Sequence, residues 1–475
     1  MLCIALLGLT VDTDYHGFQR EDFKLGASEC VLVKPAKPAK NQPWIWRMEF
    51  FDHRPELDLA LLKKGWHLAY INVGNTFGAP AAVAGLEKLY AEMVRRGFSK
   101  KPVLEGFSRG GLYAYQFAAR NPDKVGVIYG DAPVLDFKTW PYGGKGGKRS
   151  DEDWNQVKTN YGFADDRQAM KYPFNPVDNL EVIRDAKIPV IHVVGDADEV
   201  VPVEANTNLF EKRFKALGGV MEVIHKPGGL HHPHSLDDPT PLVKFIEKHQ
   251  NDTKNTPAGT VIAAPNTESR SGSAGWGDKS WLEQHQEILK LARERKPNLV
   301  LLGDSITQGW GGGGRSVWQA NPDAYAKYLE PLNTLSMGLS GDRTQNVLWR
   351  INQGALDTQP ANVGLMIGIN NIWSDSAKDI FAGQKMILDA IKKKSPKSRI
   401  YVFATFPYRG KSTDGTAEKV VELNKLLGAE TKKRGLKWID LSDQLDASKM
   451  AGDGVHLAKA GYEVWGRAIA ENIKK

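Results

Sequence analysis

Residues 102–120 read PVLEGFSRGGLYAYQFAAR. A short apolar run, Pro102–Phe107, ends in Gly106-Phe107-Ser108-Arg109-Gly110-Gly111 and passes directly into an amphipathic run over Arg109–Arg120. A buried strand, a sharp turn and a helix are the context in which G-x-S-x-G places a serine hydroxyl clear of a sheet edge. The small residues at 106 and 110 let strand and helix approach, and the helix N-terminus beneath Ser108 favours negative charge. The N–H of Arg109 then points to where an oxyanion would form.

Outward from this turn, apolar runs alternate with amphipathic ones. Trp44–Phe50, His67–Val73, Val125–Tyr129, Pro189–Val194 and Met221–His225 read as further strands, and Ala81–Arg96, Val203–Leu217 and Pro241–Lys248 as helices. Such alternation predicts a mostly parallel sheet with helices on both faces. A nucleophilic serine needs a base, and the base an orienting carboxylate. The run Pro189–Val194 leads into Gly195-Asp196-Ala197-Asp198, and Met221–His225 leads into Gly228-Gly229-Leu230-His231-His232. Both follow late strands, at the edge where open α/β sheets put their sites.

The residues from 1 to 250 resemble the α/β-hydrolase fold. The resemblance implies Asp198, in the D-x-x-V-P stretch Asp198–Pro202, as the acid in preference to Asp196. It implies His231 as the base, with His232 as the alternative. It also implies a second oxyanion donor from the loop Phe50–His53, which lacks the family's usual His-Gly pair. The stretch Gly143–Ser150 (GGKGGKRS) fails the phosphate-loop template and reads as a mobile loop.

A second alternation follows. Asn298–Leu302 is a buried-strand pattern ending in Gly303-Asp304-Ser305, again a serine just after a strand. Val363–Ile367, Arg399–Ala404 and Leu436–Asp440 read as strands, and Trp281–Arg295, Gly341–Asn352, Ala377–Lys394, Thr416–Arg434 and Lys459–Lys474 as helices. Four blocks stand in order: Gly303-Asp304-Ser305, Ser340-Gly341-Asp342, Gly368-Ile369-Asn370-Asn371 and Asp453-Gly454-Val455-His456. They resemble the SGNH, or GDSL-type, hydrolases. The resemblance implies a flavodoxin-like three-layer α/β/α domain. It also implies a triad of Ser305, Asp453 and His456, and an oxyanion hole from the N–H groups of Ser305 and Gly341 with the Asn370 amide. The stretch Gly341–Arg350 is especially similar to the platelet-activating-factor acetylhydrolase branch, and to bacterial carbohydrate esterases. The glycine run Gly311–Gly314 reads as a flexible loop beside the site, and Trp310, Trp318 and Trp373 as candidates for stacking on sugar rings.

Between the halves, 251–275 is rich in Asn, Thr, Ser, Gly, Pro and Ala and reads as a linker with one short strand at Thr260–Ala264. The expected domains are therefore 1–250, an α/β-hydrolase-like unit, and 276–475, an SGNH-like unit. A length of 475 residues allows about two to four domains. Two cysteines exclude a disulfide framework or a Cys-rich zinc site. The His231/His232/His234 cluster could bind a metal, but with no paired motif such as H-E-x-x-H in the chain, no metal or cofactor is expected. The charge of +7 reads as scattered solvated lysine, with no nucleic-acid partner expected. No apolar run reaches the ~18 residues of a bilayer span, so membrane insertion is not expected. The apolar start MLCIALLGLT reads as the remainder of an export signal or as a strand, and a secreted or periplasmic protein is expected. The function expected from both halves is acyl transfer to water. The leading substrate is acetylated carbohydrate. A lipid or small-ester hydrolase, or one domain serving only as a binding module, is the alternative.

Overall fold

The computed structural model describes residues 11–250, 257–268, 279–411 and 415–473. The apolar start Met1–Thr10 and much of the expected linker lie outside these residues. The chain divides into two units, Met1–Pro257 and Ala258–Lys475.

The first unit is built on nine strands: β1 Val11–Tyr15, β2 Phe18–Leu25, β3 Ser28–Lys34, β4 Trp44–Arg47, β5 His67–Ile71, β6 Val103–Phe107, β7 Val127–Asp131, β8 Val190–Gly195 and β9 Met221–Lys226. Their order in the sheet is β1-β2-β3-β5-β4-β6-β7-β8-β9. From β5 to β9 every pairing is parallel, whereas β1, β2, β3 and β5 pair antiparallel. The sequence reading starts its sheet at Trp44. It misses the first three strands because two of them are polar and half exposed, with burial alternating weakly along β2. The central strands β4, β6, β7 and β8 are buried along their whole length. That burial is why they read as continuous apolar runs rather than alternating ones.

Several strand ends differ from the expectation by one to three residues, and two of them matter for the site. The strand from Trp44 stops at Arg47, because Phe50 takes φ +51° and turns the chain out of the sheet. The strand read as Val125–Tyr129 runs instead to Asp131, beside Phe107 of β6. The loop Gly143–Ser150 is tied down rather than loose: Gly143 N–H donates to Thr139 O, Gly144 to Lys138 O and Lys148 to Val200 O.

The second unit has a five-stranded, all-parallel sheet: β10 Leu299–Gly303, β11 Thr334–Ser336, β12 Asn362–Met366, β13 Arg399–Phe403 and β14 Lys437–Ile439. The order is β11-β10-β12-β13-β14, the flavodoxin-like arrangement. Its three-residue strand β11 is too short to give a periodic signal. Long amphipathic helices cover the sheet, among them Trp281–Arg295, Ala377–Lys394 and Lys459–Asn472. The first of these starts in a capping box: Ser280 accepts from Glu283 N–H and Glu283 answers to Ser280 N–H.

The expected linker is partly docked. Residues 258–268 belong to the second unit, where Gly259–Val261 forms a 3-10 turn in place of the expected strand. Thr344 Oγ1 donates to Thr260 O at 3.0 Å, and Asn346 Nδ2 to Ala264 O at 3.0 Å. The packing is close, since a methyl group on Gly383 would meet Thr260 O at 2.5 Å. The glycine run Gly311–Gly314 is also structured. All four residues have positive φ, and a methyl on Gly312 would fall 2.5 Å from the Tyr325 ring. Four consecutive left-handed residues require glycine, so the run is a tight packed turn and not a flexible loop.

Candidate active sites

In the first unit the chain turns sharply after β6. Ser108 sits at φ +50°, and its N–H donates to Asp131 O at 2.9 Å while its carbonyl accepts from Gly111 and Val134. A methyl on Gly106 would come 2.7 Å from Gly110 O, and one on Gly111 would come 2.6 Å from Pro133. The glycines at these positions therefore answer to space around a strained serine.

Asp198 follows β8 and His231 follows β9. His231 Nε2 lies 3.0 Å from Ser108 Oγ, and His231 Nδ1 lies 2.7 Å from Asp198 Oδ2. The other oxygen, Asp198 Oδ1, accepts from the N–H groups of Val200 and Val201, both at 2.8 Å. This carboxylate is buried and three times hydrogen-bonded, which locks the imidazole so that Nδ1–H faces the acid and the Nε2 lone pair faces the serine. His232 makes neither contact and is exposed. Asp196 pairs instead with His225 on the surface, at 2.7 Å. Arg109 caps the following helix, and its N–H donates to no acceptor among the described residues. Its guanidinium is bound to Glu49 and, at 2.7 Å, to Asn75 Oδ1. The segment leading into Phe50–His53 touches the serine turn, since a methyl on Gly110 would be 3.4 Å from Glu49 Cβ. The Phe50 N–H also donates to no acceptor among the described residues.

Sequence reasoning missed a second buried acid–imidazole pair beside this triad. His234 Nδ1 is 2.7 Å from Asp131 Oδ1, and Asp131 Oδ2 accepts from Tyr129 OH at 2.7 Å and Ser235 N–H at 2.9 Å. Burial would raise the Asp131 carboxyl, but the His234 and Tyr129 bonds outweigh it and hold the group below its ordinary value. The signal was in the sequence, as an aspartate ending a strand next to the serine strand. Placing the strand end at Tyr129 hid it.

In the second unit Ser305 opens the short helix Ser305–Gln308 after β10. His456 Nε2 is 2.8 Å from Ser305 Oγ, and His456 Nδ1 is 2.6 Å from Asp453 Oδ2. Asp453 Oδ1 accepts from Val455 N–H at 2.9 Å and His456 N–H at 3.0 Å. The D-x-x-H spacing thus folds into a turn that holds acid and base together without help from a strand. Burial works against the Asp453 charge, yet the side-chain and backbone donors of His456 and the N–H of Val455 keep its carboxyl below the ordinary value.

The expected oxyanion donors are the Ser305 and Gly341 N–H groups and the Asn370 amide. Leu339 N–H, two residues before Gly341, donates to Gly303 O at 3.2 Å, which brings this segment to the end of the serine strand. The N–H groups of Ser305 and Gly341 donate to no acceptor among the described residues. Gly341 has φ +80°. One Asn370 Nδ2 hydrogen goes to Asp342 O at 2.9 Å, which orients the amide and leaves its second hydrogen. Behind Gly341, Asp342 accepts from Trp281 Nε1 at 2.6 Å and Arg350 Nη1 at 2.9 Å, all buried. Arg350 also reaches Met337 O. This support was missed, although Arg350 closes the stretch GDRTQNVLWR. Of the three tryptophans, Trp310 is in the core against Tyr462 and Trp465. Trp318 and Trp373 are 60% and 51% exposed. Trp373 lies three residues after Asn370, edge-on to Tyr408 at 5.3 Å. The loop of Tyr408 is joined to the acid–base turn by Arg409 N–H to Gly454 O.

Asp304, just before the nucleophile, is fully buried. Burial pushes its carboxyl from 3.8 to about 7, against the opposing pull of the Ile306 N–H and His456. A carboxyl raised in the folded state stabilises it below the ordinary value, and that contribution is lost as pH climbs from about 4 to about 7. The upper bound is about 4 kcal/mol. Asp304→Asn keeps a capping side chain, and urea unfolding of this variant is expected to lose that part of the wild-type pH dependence. An unchanged slope between pH 4 and 7 would contradict it.

Each unit therefore carries a complete serine–histidine–aspartate chain, the constellation of serine hydrolases. Residues 301–464 match the model of the GDSL-like Lipase/Acylhydrolase family, so the second unit carries a GDSL-type hydrolase domain. The chain is 30% identical over 154 residues to platelet-activating factor acetylhydrolase IB subunit alpha1 of Rattus norvegicus, covering 32% of this chain and 62% of that one. It is 32% identical over 157 residues to the IB subunit beta homolog of Drosophila melanogaster, covering 33% of this chain and 65% of that one. It thus spans less than two thirds of these relatives. Among solved structures, Est1E from Butyrivibrio proteoclasticus aligns at a TM-score of 0.37 with 20% identity, over 51% of this chain and 98% of that one. The first unit, with its sheet and serine turn, has the α/β-hydrolase architecture.

Proposed function

We propose that the protein is a carboxylic-ester hydrolase with two separate serine sites, and that it removes O-acetyl or other short acyl groups from carbohydrate. The observation that carries the reading is the pair of hydrogen-bonded triads, Ser108–His231–Asp198 and Ser305–His456–Asp453. In each, the serine oxygen attacks the acyl carbon while the histidine Nε2 takes its proton. The oxyanion is met by the Arg109 and Phe50 N–H groups in the first site. In the second it is met by the Ser305 and Gly341 N–H groups and the Asn370 amide. The histidine then returns the proton to the departing sugar oxygen, leaving an acyl-serine. Water, deprotonated by the same histidine, releases the acid.

Two features favour carbohydrate over lipid. The exposed Trp373, edge-on to Tyr408 on loops joined to Asn370 and the acid–base turn, offers a flat face for a sugar ring, and Trp318 is a second exposed ring in the same unit. In the first unit, the aromatic side chains of 137–172 pack on one another: Phe137 stacks on Tyr172 and Tyr161 on Phe163. They leave a polar exterior rather than an apolar lid. Two sites on one chain suit a polymer substituted at several positions, because tethering raises the effective concentration of the second site.

The test is acetate release by the wild type and by single serine variants on acetylated xylan, pectin, acetylated sialic acid and a short-acyl phospholipid. Release from glycans and not from phospholipid supports the reading; the reverse overturns it in favour of a lipid esterase. Trp373→Ala is expected to raise KM on acetylated glycan about fivefold, corresponding to ~1 kcal/mol of stacking, and to leave aryl acetate hydrolysis unchanged. Equal loss on both substrates would remove Trp373 from sugar binding.

A further inference from the structure

We propose that His231, His232 and His234 form an inhibitory binding site for a divalent transition-metal ion such as Zn2+, which switches off the Ser108 site and leaves the Ser305 site running.

One ring nitrogen from each of the three histidines lies within 4.8 Å of the others. Two of the rings are already held as metal ligands usually are. His231 and His234 each give Nδ1 to a buried carboxylate, Asp198 and Asp131, both at 2.7 Å. A carboxylate behind an imidazole fixes the tautomer with the lone pair on Nε2 and raises its basicity. Nε2 of His234 has no hydrogen-bond partner among the described residues, and neither nitrogen of His232 has one. The catalytic arrangement explains His231 but not a second buried acid–imidazole pair with an idle lone pair beside it.

The geometry needs only a small adjustment. Two nitrogens on one tetrahedral zinc, at bonds of about 2.0–2.1 Å, stand about 3.3 Å apart. His232 is exposed and unrestrained by hydrogen bonds, so its ring is free to close the gap. The ring centroids of the trio are already 4.7–4.9 Å apart. His53, with its centroid 5.8 Å from His234, borders the remaining side, where it or water completes the shell. The Asp131 and Asp198 carboxylates supply negative charge behind the rings. The metal bonds to the His231 Nε2 lone pair that otherwise accepts the Ser108 hydroxyl, so metal and catalysis exclude each other. The second site has a single histidine, His456, with no such neighbours among the described residues.

The metal site stands without the esterase reading, whereas its effect on hydrolysis rests on it. Binding is therefore measured directly on the untagged full chain, by calorimetry with zinc chloride and by the visible absorption of added Co2+. One tight ion per chain and a tetrahedral cobalt spectrum are expected. His232→Ala is expected to weaken binding at least tenfold and to leave metal-free activity of the Ser108 site unchanged. Ser108→Ala is expected to bind at least as tightly, since the hydroxyl no longer competes. On a Ser305→Ala background, Zn2+ is expected to inhibit hydrolysis with the same concentration dependence as binding, reversed by chelator; on a Ser108→Ala background it is expected not to. No tight ion, unchanged affinity in His232→Ala, or parallel inhibition of both sites would each overturn the proposal.

Discussion

Ser305→Ala is expected to abolish hydrolysis by the second unit, with a fall in kcat of about 10^4–10^6 and no loss at the first. Ser108→Ala is expected to do the converse. The size follows from how a triad works as one device: removing the nucleophile alone costs nearly what removing all members costs, and only the oxyanion donors and binding remain. The separability follows from the structure, where no residue is shared between Ser108–His231–Asp198 and Ser305–His456–Asp453. The measurement is kcat on an aryl acetate for the wild type, both single variants and the double variant. If Ser305→Ala leaves acetyl release unchanged on aryl acetates and on a range of acetylated glycans, the second site is not an esterase. If the double variant keeps more than a trace of activity, the reaction runs elsewhere.

The second large effect separates the two acids. Asp198→Asn is expected to lower kcat of the first site by about 10^4, the cost of presenting the base in the wrong tautomer. Its side chain is 1% exposed, and Oδ1 is committed to Val200 and Val201. The substituted amide therefore has no water to turn to. Asp453→Asn is expected to cost the second site less, about 10^2–10^3, because the Asp453 side chain is 51% exposed and water screens and replaces its charge. Assays on the opposite serine-to-alanine background isolate each site. Equal losses would mean that solvent access at Asp453 has no bearing on how His456 is held.

Much of both sites was legible because their chemistry is tied to strand ends. Ser108 and Ser305 each stand one or two residues after a buried apolar run, and Asp198 stands beyond another. The helices Trp281–Arg295 and Ala377–Lys394 match their amphipathic runs to the residue, and in the structure Ser280 and Ser376 cap them by accepting from backbone N–H groups. What escaped was either short, polar or dependent on distant partners. Strands β1 to β3 lack a strong alternation. Strand β11 is three residues long. The Gly311–Gly314 turn looks like flexible composition until Tyr325 is placed against it.

By itself the sequence determined that there are two serine centres, and which residues can serve them, because nucleophile turns and D-x-x-H turns are local devices set by residue type and spacing. Only the tertiary structure decided between chemically equal neighbours. It set His231 rather than His232 on Ser108 and put Asp196 out on the surface with His225. It buried Trp310 and left Trp318 and Trp373 in solvent. It also brought Asp131 to His234 across 103 residues. Which imidazole meets which carboxylate depends on how adjacent parallel strands end at one edge of a sheet. That register is set by packing across the whole domain and is not written in any one stretch of chain.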